Sequence, residues 1–184
     1  MIRGNEDMRH RPSIAYTALV LMSIVLMTLA AVDNAASADR RQRGLTRRDK
    51  CPVCGMFVYK YPKWIAKIEF QDGHAHFYDG AKDMFKHYMN LSKYTPGRSG
   101  HEIAAVFVTD YYAVELVEAK AAFYVIGSDV LGPMGHELIP FKDEASAKEF
   151  LEDHKGTRIL RFEEVTDEVI KALDAAQQER GRKR

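Results

Sequence analysis

Cysteine is scarce in this chain, with 2 among 184 residues, so a disulfide-rich scaffold is excluded and one bridge or one thiolate pair is the most it can build. Neither cysteine lies in residues 1–50, which excludes a lipid-modified N-terminal cysteine there, and the protein is not expected to be a lipoprotein. No second cysteine pair exists to complete a zinc ribbon or finger. An excess of one charge is missing too: 27 basic residues face 26 acidic ones, net +1, which gives no electrostatic footprint for nucleic acid. Nucleophile elbow, phosphate loop and HExxH pattern are all absent, leaving a hydrolase or transferase without support. At 46% hydrophobic and 29% charged, the composition excludes collagen, coiled-coil fibre, disordered tail and multi-pass membrane protein, and predicts one or two small domains.

What is present begins with an uncharged run from Ile14 to Val32, preceded by Arg3, Arg9 and Arg11. It is long enough to span a bilayer once. Ala36-Ser37-Ala38 then supplies the small residues a signal peptidase requires, so residues 1–38 read as a cleaved signal peptide or an uncleaved membrane anchor. A basic linker follows over 39–50, with Arg40, Arg41, Arg43, Arg47, Arg48 and Lys50. Taken alone, that run would hold the following domain in the cytoplasm, but a long folded domain can translocate despite flanking charge. The expectation is a periplasmic domain, soluble after cleavage or tethered to the inner membrane by residues 14–32.

Beyond the linker the pattern predicts an α+β fold of two small β-β-α-β modules packed together. Ile65 to Phe70 and His74 to Tyr78 are β-rich runs joined by Gln71-Asp72-Gly73, a hairpin signal. Asp79 is expected to cap a helix in which Ala81, Met84, Phe85 and Tyr88 recur at helical spacing. Ile103 to Thr109, Ala122 to Ile126, Leu138 to Phe141 and Arg158 to Phe162 read as strands. Asp143 caps a helix to about His154, and a last helix runs from Thr166 to about Gln178. Phe77-x-Asp79-x-Ala81 and Phe141-x-Asp143-x-Ala145 repeat one strand-then-helix junction. The modules are placed at 51–100 and 101–165, with a C-terminal helix and tail over 166–184. Each buries too little apolar surface alone, so they should share an interface, with Tyr111, Tyr112 and Tyr124 packed at it.

Chemistry concentrates in two short stretches. In Cys51-Pro52-Val53-Cys54-Gly55-Met56, two thiols three positions apart can point at one centre, and Gly55 lets the Met56 thioether approach. Thiolate with thioether favours Cu(I) over Zn(II). The same CxxC could instead serve redox exchange or close as a structural disulfide. Redox exchange needs a depressed thiolate pKa, usually from a helix starting after the CxxC, and Gly55-Met56-Phe57-Val58-Tyr59 with Pro62 soon after predicts none. Gly132-Pro133-Met134-Gly135-His136-Glu137 is a fixed loop carrying one thioether and one imidazole; a methionine flanked by glycine has little to pack against, which weakens a core reading of Met134 and leaves a satisfied surface loop as the alternative. If the two stretches meet, the donors are Cys51, Cys54, Met56, Met134 and His136, and spare donors would let the ion leave by ligand exchange. His74, His76, His87, His101 and His154 receive no role.

CPVCGM, the hairpin with YDGAKDMF, VTDYY (Val108 to Tyr112), AFYVIGSDVLGPMGHELIPF (Ala122 to Phe141) and the closing GTRILRF together resemble the NosL family. The similarity covers residues 51–165. It implies an accessory protein of nitrous oxide reductase: a non-enzymatic Cu(I) metallochaperone, with Cys54 and Met56 in the CGM element and Met134 in the GPMG element. It also implies partners: an ABC-type transporter and a periplasmic assembly protein at the membrane, and a client copper reductase. The competing function is a thiol-disulfide oxidoreductase. A homodimer is the remaining partner reading, with the sharing of a metal between its copies left open.

Overall fold

In the computed structural model residues 44–182 are described; the signal or anchor expected over 1–38 and residues 39–43 of the linker lie outside them. Among the described residues no helix is long and apolar enough to cross a membrane. The first strands, β1 (Ala66–Phe70) and β2 (Ala75–Tyr78), form the hairpin that Asp72-Gly73 predicts. Gly73 takes a φ of +83° and its N–H closes on the Phe70 carbonyl at 2.9 Å, a left-handed conformation glycine adopts without a Cβ clash. Helix α1 (Ala81–Met89) follows, then the short α2 (Leu91–Tyr94). Strand β3 (Ile103–Thr109), the β-branched run of the sequence, pairs antiparallel with β1, and β4 (Leu116–Glu118) adds to its outer edge. The first sheet is therefore ordered β2-β1-β3-β4.

The second half repeats the course with β5 (Phe123–Ile126), β6 (Ile139–Phe141), α3 (Glu144–Asp153) and β7 (Arg158–Arg161), in the order β6-β5-β7. Pro140 sits in β6, an edge strand, where its missing N–H is tolerated. In both halves the first strand lies between the other two and the helix joins the second to the third. The mixed, antiparallel α+β architecture is thus the expected one. The division placed at residue 100 does not follow the pairing, because β3 and β4 complete the first sheet: Ile68 faces Val106 and Ala66 faces Val108.

The repeated junction has diverged. Asp143 caps α3 as expected, accepting the Ser146 N–H at 2.8 Å. Asp79 does not cap α1, which corrects the expectation. Gly80 holds the N-cap position without a side-chain bond, and Glu137, from the other module, accepts the Lys82 N–H at 2.6 Å.

The main core draws on both modules and on the C-terminal helix α4 (Asp167–Arg182). Ala66, Ile68 and Phe70 of β1 join Met84 and Phe85 of α1, Tyr124 of β5, Leu160 of β7, Phe162, and Ile170 and Leu173 of α4. The Phe85 ring lies 5.2 Å from Tyr124 and 4.8 Å from Phe162, so the interface expected from the small modules is a shared core. A smaller cluster of Val125, Ile139, Phe141, Ala147 and Phe150 lies under α3. Tyr111 joins it, 5.0 Å from Phe150 and with its N–H on the Pro140 carbonyl, whereas Tyr112 is 46% exposed and caps the cluster from outside.

Candidate metal centre

The CPVCGM segment closes on itself. The Cys51 N–H donates to the Met56 carbonyl and the Gly55 N–H to the Cys51 carbonyl, both at 2.9 Å, and Gly55 takes a φ of +78°. Cys51 is buried, Cys54 half-buried, and neither is in a disulfide. Opposite the turn stands the start of α1. The Cys54 thiol donates to Asp79 Oδ1 at 3.1 Å and the Cys51 thiol to Asp83 Oδ2 at 3.4 Å. One ligand atom from each of these four side chains lies within 4.8 Å of the others.

Both carboxylates are buried, Asp79 at 1% exposure and Asp83 at 2%. Asp79 Oδ2 has no hydrogen-bond partner at all. Burying an acceptor without a partner costs free energy, so a buried carboxylate with one oxygen on the Cys54 thiol and the other unpaired is a place that suits a cation. Lys86 Nζ approaches Asp83 at 3.5 Å and balances part of the charge.

The Cys51 thiol is pushed up from its ordinary range, first by its hydrogen bond with the Cys54 side chain, then by burial and by the Asp83 charge. Tyr78 is raised by burial and then by Cys51 and Asp83. A thiol-disulfide exchange nucleophile requires the opposite shift, from a helix N-terminus or a nearby cation. The turn is followed only by a 3-10 turn over Val58–Lys60, as the glycine and β-prone residues predict, and the geometry opposes the redox reading.

The GPMGHE loop arrives at the same helix end. Gly132 and Gly135 bond to each other across it at 2.8 and 3.0 Å, and Gly135 takes a φ of +85°. The Met134 carbonyl accepts from Lys82 Nζ at 3.3 Å, while the Met134 side chain is 38% exposed. His136 and Met56 are half-buried. Glu137 is buried and accepts the N–H of Lys82 at 2.6 Å and of Leu138 at 2.9 Å; burial holds its carboxyl up to about 8. Cys51 and Cys54 are thus joined with two acids, and the loop carrying Met134 and His136 is fastened to Lys82, next to Asp83.

Sequence reasoning missed Asp79, Asp83, Lys82 and Glu137. The available signal was the i, i+4 spacing of Asp79 and Asp83 at a helix start, which places two carboxylates on one face. The unassigned histidines stay apart from the four-residue group. His87 is fully buried between Tyr78 Oη and Thr95 Oγ1, each at 2.8 Å, and is pushed down to about 4 by burial and then by the charge of His76.

Fold and site together define a small α+β protein built around a thiol–carboxylate centre able to hold a metal ion. Within that class the chain belongs to the NosL family, whose model matches residues 42–170. The copper-binding lipoprotein NosL of Stutzerimonas stutzeri is 27% identical over 144 residues, covering 70% of this chain and 68% of that protein. The crystal structure of the copper chaperone NosL from Shewanella denitrificans shares the fold, with a TM-score of 0.59 at 21% identity over 70% of this chain and 97% of that one. The S. stutzeri relative corrects one expectation: it is a lipoprotein, which conflicts with reading this chain as something other than a lipoprotein. The absence of cysteine from residues 1–50 was too narrow a basis for that reading, since it bears on one modification within one stretch of sequence.

Proposed function

We propose that the protein is a copper chaperone carrying one Cu(I) at the mouth of the CPVCGM turn. The observation that carries this reading is the meeting of the Cys51 and Cys54 thiols with two buried carboxylates, one of them with an unpaired oxygen. Soft sulfur donors favour Cu(I) among the first-row ions. Cys54, half-buried, is the thiol an incoming ion meets first, and Cys51 lies behind it. Each thiol already donates to a carboxylate, so the protons released when thiolates form have acceptors at hand. Met56, Met134 and His136 complete the donor set and exchange with the thiolates, keeping the ion transferable. The cargo passes to the machinery that matures nitrous oxide reductase, an assignment resting on the similarity of the CPVCGM and GPMG elements to that family.

Anaerobic titration of the reduced full chain with Cu(I) against a competing chelator is expected to give about one equivalent bound, as one thiolate-thioether site requires. Cys54→Ala should weaken binding about a hundredfold, roughly 2.7 kcal/mol, and Met56→Ala or Met134→Ala by less. Unchanged binding across all three variants sinks the proposal.

A further inference from the structure

The two modules use the same aspartate differently, and the difference leads to Glu137. Asp143 caps its own helix through the Ser146 N–H, the ordinary local arrangement for an aspartate at this position. Asp79 stands at the corresponding place before α1 but faces the Cys54 thiol instead. The N–H it would have taken is satisfied from 55 residues away, by Glu137.

Glu137 is held in a seat built for it. Its side chain is 3% exposed, and Oε1 accepts both the Lys82 N–H and its own neighbour's, at Leu138. A Cβ at Gly80 would collide with its carboxylate, and one at Gly132 would lie 3.1 Å from its Cγ, so both glycines leave room for this side chain. Lys82 is fastened twice to the same loop, by its N–H to Glu137 and by its ammonium to the Met134 carbonyl at 3.3 Å. Two residues separate Glu137 from Met134 in sequence, and Asp83 follows Lys82 directly.

We infer that Glu137 is a positioning residue for copper exchange: by capping α1 from the neighbouring module, it holds the loop bearing Met134 on the helix end that carries Asp83. This rests on the reading of Met134 as a copper donor. Glu137 itself need not touch the ion.

The test is a double-variant cycle on Cu(I) affinity in the full chain, read by chelator competition for Glu137→Ala, Met134→Ala, the double variant and Glu137→Gln. Glu137→Ala is expected to weaken Cu(I) binding about tenfold, and Glu137→Gln to bind as wild type, because the amide oxygen can accept the same two N–H groups. The double variant should bind no more weakly than Met134→Ala alone, since a contact already lost cannot be mispositioned. Losses that multiply, or wild-type affinity in Glu137→Ala, overturn the inference while leaving Met134 as a donor. Wild-type affinity in Met134→Ala overturns the donor reading and this inference with it. Should Glu137→Ala fail to fold, Glu137→Asp, too short to reach the Lys82 N–H, takes its place in the same cycle with the same expectations.

Discussion

Asp79 and Asp143 begin as the same residue in a repeated junction, and their surroundings give them different work. Asp143 is a helix cap, so Asp143→Ala should lower stability by about 1 kcal/mol in thermal or denaturant unfolding and leave Cu(I) affinity untouched. Asp79 has one oxygen on the Cys54 thiol and the other without a partner. Asp79→Asn should therefore weaken Cu(I) binding with little loss of stability; equal effects of both substitutions on binding would contradict the division of roles. The cysteines were legible because CxxC spacing is local. Asp79 was visible but misread, since an aspartate between strand and helix predicts a cap, and nothing local announces a thiol 25 residues upstream. Asp83 showed only its i, i+4 spacing from Asp79, and Glu137 only its place in the GPMGHE stretch; the partners that give them roles lie 32 and 55 residues away.

Among the elements, α1 connects most of the molecule. One end carries Asp83 and receives the GPMGHE loop; the other buries His87 between Tyr78 of β2 and Thr95 beyond α2. An imidazole held near 4 in the fold and near 6.5 when unfolded binds its proton first in the unfolded chain. The stability it contributes is complete above about pH 6.5 and falls as the pH drops toward 4, by up to about 3 kcal/mol. Glu137, held up to about 8 by burial, acts in the opposite sense, losing its contribution as the pH rises from its ordinary 4.5 toward 8. The difference between wild type and His87→Gln cancels that second effect. Unfolding measured from pH 7 to pH 4 should show the wild type losing stability relative to His87→Gln, and parallel curves would refute the assignment. Element boundaries were readable to within a residue for β1, β2, β3 and β5, where β-branched and aromatic runs end at the Gln71-Asp72-Gly73 turn, at Asp79, at Asp110 and at Gly127. Strand β4 escaped because Leu116–Glu118 is too short to show a period, and α4 runs past Gln178 because its final turns are charged but contain no breaker until Gly181.

For the molecule as a whole, the shared core carries the claim that neither module is independent. Phe85, 1% exposed, touches Tyr124 and Phe162 from the opposite module. Phe85→Ala should cost about 3–5 kcal/mol and shift a single cooperative transition rather than split it; two separable transitions would mean two independent units. The two-module course was legible from the repeated strand-then-helix order, whereas the assignment of β3 to the first sheet depended on pairing that a linear reading could not fix. The whole arrangement brings two distant turns to one helix end, and its central claim is that copper is held there by sulfur. Cu K-edge absorption on the anaerobically loaded full chain tests this most directly. A shell of at least two sulfur neighbours that shrinks in Cys54→Ala is the predicted result, and a shell of oxygen and nitrogen alone, unchanged by that substitution, would contradict it.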